Sequence, residues 1–228
     1  MHKISPSGIS SLLECSRCLW LQFNKDIKRP RGIYPSLPDG MDNAFKNYFD
    51  QFRDKGILPP ELDGKVDAKL FGDVKQLHTW REFNFGRGGI RAEISEYEMT
   101  VAGAIDDILV APDGSLIPLD FKTRGYPTKE DTHKHYQSQL DLYALLFERN
   151  GQRVATKGYL LFFWPDVYHK DGVHLKTDLV EVSVSSKRAM AVLKHVHSLI
   201  MGELPLAAPT CEYCSYREAA AGAVENES

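Results

Sequence analysis

The segment Leu116-Ile117-Pro118-Leu119-Asp120-Phe121-Lys122-Thr123 constrains the fold of this chain more than any other. Strand geometry puts Ile117, Leu119 and Phe121 on one face and Asp120 and Lys122 on the other. An Asp113-Gly114 turn joins it, as a hairpin, to Val101-Ala102-Gly103-Ala104-Ile105-Asp106-Asp107-Ile108-Leu109-Val110. Such a hairpin presents an acid and an amine side by side, and it brings Asp106 to the same end of the sheet. Asp107 falls on the opposite face of an ideal strand and reads as structural unless a bulge intervenes.

The remaining patterning places this hairpin in a larger sheet. Short strands separated by Gly86, Gly88-Gly89 and Asp113-Gly114 run from Trp80 to Lys122 and suggest an antiparallel meander. Helices are expected from Ser5-Pro6-Ser7 through Leu19, from Asp42 to Lys55, from His133 to Asn150, and from Ser186 to Met201. The last carries Ala189, Val192, Leu193, Val196 and Ile200 on its inward stripe. Further strands are expected over Lys157 to Trp164 and Leu179 to Val184. Helices, a meander, a helix and then a strand argue for an α/β (α+β) fold, a mixed sheet flanked by helices. One domain is expected over residues 1–218, followed by a disordered tail over 219–228.

A formal net charge of −3 provides no global positive field and counts against a passive DNA-coating protein. It counts less against a nuclease, whose metal ion restores positive charge where phosphate docks. Lys25, Lys28, Arg29 and Arg31, and then Arg81, Arg87 and Arg91, form local basic groups that read equally well as solvated surface. The apolar runs are too short for a membrane span and the N-terminus lacks a signal-peptide core, so a cytoplasmic location with no membrane partner is expected. All four cysteines fall in Cys-x-x-Cys pairs, Cys15/Cys18 and Cys211/Cys214. In a cytosolic chain that spacing reads as metal or cluster ligation rather than disulfides.

Two carboxylates at a strand edge make a hard oxygen site suited to Mg²⁺ or Mn²⁺. Such an ion polarises a scissile phosphate, and a neighbouring lysine orients water or stabilises developing charge. The reaction class that fits is phosphodiester hydrolysis. Taken alone, an Asp-x-Lys strand is more often an exposed ion pair.

Four segments in order carry a more specific resemblance. They are Ile4-Ser5-Pro6-Ser7 leading to Cys15, Gly103-x-Ile105-Asp106, Leu119-Asp120-Phe121-Lys122-Thr123, and Gln139-Leu140-Asp141-Leu142-Tyr143. Together they resemble the RecB-like branch of the PD-(D/E)XK nuclease superfamily. The resemblance implies a restriction-endonuclease-like fold, with Asp106 and Asp120 as metal ligands and the Phe121 carbonyl as a third. It implies that Lys122 serves the nucleophilic water and that Gln139 and Tyr143, one helical turn apart, face the site and the DNA backbone. Glu93, Glu96 and Glu98 lie on the preceding strand and are candidates for a further ligand, Glu93 among them; the sequence does not choose. Many relatives place a metal-binding histidine where Phe45 stands here, so the number of ions stays open. His78, His133 and His135 are candidates for recruitment, although exposed or hydrogen-bonded histidines are commoner.

RecB-like nucleases such as AddB, and the CRISPR-associated nucleases of spacer acquisition, hold an iron-sulfur cluster on one early and three late cysteines. Cys15, Cys211 and Cys214 match those positions; the final cysteine is missing, and Cys18 would replace it. Four thiolates suit a four-iron cluster or tetrahedral Zn²⁺; the spacing is neutral and the resemblance favours the cluster. The expected function is a metal-dependent DNA nuclease, an exonuclease on single strands or ends, working with protein partners in repair, recombination or CRISPR adaptation. The alternative is an inactive nucleic-acid-binding or assembly module of the same fold.

Overall fold

A computed structural model describes residues 2–30, 32, 36–84 and 87–225. Arg31, Gly86, the side chain of Arg87 and the last three residues, all named in the sequence reading, lie outside that description. The chain runs β1 (His2–Ile4), α1 (Ile9–Leu13), α2 (Ser16–Lys25), α3 (Ser36–Arg53), β2 (Lys69–Leu70), α4 (Val74–Arg81), β3 (Phe83–Asn84), β4 (Arg87–Gly88), β5 (Ile90–Ile94) and β6 (Met99–Gly103). It continues with β7 (Asp107–Val110), β8 (Leu116–Thr123), α5 (Gln137–Arg149), β9 (Lys157–His169), β10 (Gly172–Ser183), α6 (Ser186–Met201) and α7 (Glu212–Glu225). Among the described residues no helix is long and apolar enough to cross a membrane.

The expected mixed α/β architecture is present, with the meander divided between two larger sheets and a separate β3-β4 hairpin. One sheet has the order β10-β9-β8-β7-β2, with β8 and β9 parallel and the other pairs antiparallel. The other has the order β1-β6-β5, with β1 parallel to β6. Residues 104–106 cross between them. The departure point is Gly103, where a Cβ would come within 2.7 Å of Pro6 Cδ. Only glycine lets the N-terminal segment lie this close.

Alternation in β8 sorts its side chains as expected. Ile117, Leu119 and Phe121 pack with Phe45 and Phe49 of α3 in one core. The other face of the sheet meets α5, whose residues 139–147 are all buried. A helix enclosed on every side lies between layers rather than on a surface, which is why its apolar positions exceed one stripe. Helix α6 covers it, capped by Ser185 and burying Ala189, Leu193, Val196 and Ile200.

Several local expectations change. Ser5-Pro6-Ser7 makes a turn, with Gly8 N–H donating to Ser5 Oγ at 3.1 Å, and helix begins only at Ile9. The first helix is then interrupted at Cys15, which is extended (φ −149°, ψ 110°) and caps α2. Helix α3 starts before Asp42, because Pro38 falls in its first turn, where the missing N–H has no helical partner to lose. Helix α4, which is not among the expected helices and runs into the stretch read as strand from Trp80, is capped by Asp73 and buries Leu77 and Trp80. Strands β9 and β10 extend past the core as an exposed arm, which apolar patterning does not mark. Helix α7 continues through Glu225, across residues 219–225 of the expected tail.

Candidate active site and cysteine centre

The site is built outward from Asp107, which is wholly buried. Its carboxylate accepts two bonds from Arg53 Nη2, at 2.6 and 2.7 Å, and one from Arg81 Nη2 at 2.9 Å. Arg81 Nε also donates to the Asp106 carbonyl at 2.8 Å, and Asp50 joins both arginines. Buried charges persist where they are paired and bonded in this way. The lattice pins the Asp106-Asp107 dipeptide and makes Asp107 structural, as expected, while removing Arg81 from any surface basic patch.

Asp106 is thereby held at the crossing between the sheets, and its Oδ2 accepts the Phe121 backbone N–H at 2.8 Å. This bond places its carboxylate against the backbone between Asp120 and Lys122. Asp120 Oδ1 accepts from Gln139 Nε2 at 2.8 Å. Its Oδ2 is sealed from water, faces the Lys122 ammonium in an ion pair, and accepts no hydrogen bond of ordinary geometry. Tyr143 receives a bond from Gln139 Nε2 at 3.3 Å and donates its hydroxyl to the Ala104 carbonyl at 2.5 Å. Gln139 and Tyr143 do reach the site; both are buried, and Gln139 Nε2 and the Tyr143 hydroxyl are bonded to protein partners. These bonds tie them to Asp120 and to the 104–106 crossing. The Phe121 ring turns away into the core with Phe45 and Phe49.

Two further residues enter from α3. Lys46 Nζ lies 2.5 Å from Asp42 Oδ2 and 3.1 Å from Asp106 Oδ1. The sequence reading noted Asp42 only as a helix start and gave Lys46 no role. The available signal was the polar series Asp42, Lys46, Asp50 and Arg53, at helical spacing along one side of α3. Glu93 stands apart: it is exposed on β5 opposite Thr100, three residues up the strand from the Ile90–Gly103 pair that leads into the crossing. Asp42, through Lys46, is the carboxylate brought next to Asp106. His78 lies 3.9 Å from Asp50. His133 and His135 lie on a short 3-10 turn ahead of α5.

The electrostatics are those of crowded acids. Burial pushes the Asp120 carboxyl up to about 7 despite the adjacent Lys122, and the charges of Asp106 and Asp42 push the same way. Asp42 is raised by burial and by Asp106. Burial pulls Lys122 down, but Asp120 and Asp106 outweigh it and hold the group as an ammonium. Lys46 behaves likewise between Asp106 and Asp42. Among the described residues, no three of these carboxylates close to within 4.8 Å of one another, because lysines stand between them. The chemistry of this donor set suits a hard divalent cation: carboxylate oxygens are hard ligands, and its charge would offset the mutual repulsion that Lys46 and Lys122 offset here. The side chains of Asp42 and Asp106 are 32% and 17% exposed and that of Asp120 1%, so the site opens toward solvent from the α3 side.

The family model for the PD-(D/E)XK nuclease superfamily matches residues 3–219. The chain belongs to that superfamily. Its PD-(D/E)XK fold is similar to the crystal structure of SSO0001, with a TM-score of 0.50 and 16% identity over 95% of this chain and 84% of that one. No match was found among curated proteins.

This PD-(D/E)XK chain carries a second cluster at the opposite ends of its sequence. Cys15, Cys18, Cys211 and Cys214 are buried, none is in a disulfide, and their sulfurs all lie within 4.8 Å of one another. Neighbouring bonds dock the same segments: Trp20 Nε1 donates to Gly202 O at 2.8 Å, Asn24 to Ile200 O at 3.0 Å, and Arg17 Nε to Pro205 O at 3.0 Å.

Proposed function

We propose that this chain is a Mg²⁺- or Mn²⁺-dependent nuclease that hydrolyses phosphodiester bonds in DNA. The observation that carries the reading is the chain of contacts that gathers Asp42, Lys46, Asp106, Asp120 and Lys122, with Asp42 and Asp106 reaching solvent, backed by a superfamily match over nearly the whole chain. Asp42, Asp106 and Asp120 would hold the cation, with the Phe121 carbonyl beside them. When bound, the cation supplies Lewis-acid polarisation of the phosphate.

The protein's own groups do the rest. Gln139 fixes the rotation of Asp120, and Tyr143 with Arg81 fixes the backbone carrying Asp106. Lys122 and Lys46, held as ammonium groups by the carboxylates beside them in the cation-free protein, would supply positive charge and donors toward the phosphate and its attacking water. Resemblance to RecB-like relatives extends the reading to single strands or ends, in repair, recombination or CRISPR adaptation with protein partners.

The test incubates purified full-length chain with labelled single-stranded DNA, double-stranded DNA and RNA, with and without Mn²⁺ or Mg²⁺. Cation-dependent cleavage is expected, lost in Asp120→Asn with an unchanged far-UV spectrum. Cleavage by Asp120→Asn at the parental rate would overturn the assignment, and products from RNA alone would overturn the DNA preference.

A further inference from the structure

The two cysteine pairs share one local design. Cys15 caps α2, its carbonyl accepting Leu19 N–H at 3.1 Å, and Cys18 follows within the first turn. Cys211 precedes α7, its carbonyl accepting Ser215 N–H at 3.0 Å, and Cys214 occupies the same place in that helix. Two helix N-termini therefore point at four sulfurs, and their partial positive charge favours thiolates. Cys15 Sγ also accepts the Ala208 N–H at 3.4 Å, and the Arg29 guanidinium lies beside Cys18 and sets a positive charge against its sulfur. Such outer contacts orient thiolate ligands and offset their charge.

The spacing of the sulfurs decides what they can surround. Cys18 Sγ lies 3.5 Å from Cys211 Sγ and 3.6 Å from Cys214 Sγ, and Cys15 lies 3.9 Å from Cys214. A tetrahedron of thiolates around one zinc, at about 2.3 Å per bond, has edges of about 3.8 Å. In a four-iron cluster each thiolate caps a different iron, and the intervening cube holds the ligand sulfurs apart on the order of 6 Å. With every pair here inside 4.8 Å, the cage has room for one ion and not for a cube.

We infer that Cys15, Cys18, Cys211 and Cys214 hold a single structural Zn²⁺, in place of the four-iron cluster implied by the resemblance to AddB-like nucleases. Four protein thiolates leave no open position, so the ion joins the ends of the chain and takes no part in hydrolysis. One iron would fit the same edges, but thiolate sites bind zinc more tightly than ferrous iron. The inference stands apart from the nuclease reading, and its test reads no cleavage.

Full-length chain is purified anaerobically from cells supplied with both iron and zinc, and its metal and acid-labile sulfide are measured. About one zinc per chain, no sulfide and no visible absorption are expected. Iron with matching sulfide, a single iron, or a metal-free chain would each overturn the proposal. Cobalt titration of the stripped chain gives a second reading: intense tetrahedral thiolate-cobalt bands should saturate at about one equivalent and vanish on adding zinc. Absence of those bands overturns it too, and this measurement holds even if Cys211→Ser, expected to lose zinc and melt lower, does not fold.

Discussion

Gln139 Nε2 lies 2.8 Å from Asp120 Oδ1, so a helix buried between sheet and outer layer sets the rotation of a carboxylate on β8. The remaining oxygen of Asp120 is left to Lys122 and to whatever cation the site takes up. Replacing Gln139 by leucine keeps the volume and removes the donor. Cation-dependent cleavage should fall about 10- to 100-fold, the usual cost of losing an outer contact to a ligand. Cleavage assays beside thermal melts check this; an unchanged rate in a folded variant would mean that Asp120 needs no such guide.

Lys46 bridges Asp42 and Asp106 and so competes with a cation for the same oxygens. Lys46→Met should tighten Mn²⁺ binding by at least about tenfold, given a unit charge a few ångströms away at a near-surface effective dielectric. Asp42→Asn should weaken it. Isothermal titration of catalytically silent protein measures both, and weaker binding by Lys46→Met would show that the lysine supports the cation instead.

Cation binding should also depend on pH with a definite sign. Burial together with the neighbouring acids raises Asp120 to about 7 in the metal-free protein. Only the ionised carboxylate takes a cation, so below that point a proton must leave first. Affinity should fall about tenfold per pH unit on the acid side and level off above it. Titrations across that range, repeated with Asp120→Asn, test the origin of the slope. A flat profile in the parent chain would remove Asp120 from the ligand set.

Asp107 offers the sharpest stability prediction. Asp107→Ala would strand Arg53 and Arg81 without their shared carboxylate in a buried setting. A loss of about 3–5 kcal/mol is expected from breaking a buried pair on one side only. Urea unfolding monitored by circular dichroism measures it, and a change below about 1 kcal/mol would mean that solvent or Asp50 rescues the arginines.

Residue order alone made part of this molecule legible. The period-two pattern of β8 assigned Asp120 and Lys122 to one face and Phe121 to the other, and the Asp113-Gly114 turn fixed the β7–β8 register. Such features follow from backbone geometry over a few residues and hold wherever a strand is half buried. Helix α6 was readable for the same reason, its capping serine and apolar spacing being local. Helix α4 was missed because its eight residues bury only Leu77 and Trp80, too weak a period to separate from strand.

What the sequence determined by itself, then, is which atoms alternate, turn or cap along each short stretch, including the acid-amine pair that suggested the chemistry. Only the tertiary structure decided that Asp42 and Lys46 join that pair, that Gln139 and Tyr143 support it from within, and how closely the four sulfurs gather. Those facts depend on contacts between residues from 19 to 199 positions apart in the chain. Distances across a packed core are set by every intervening side chain at once, so no local pattern encodes them.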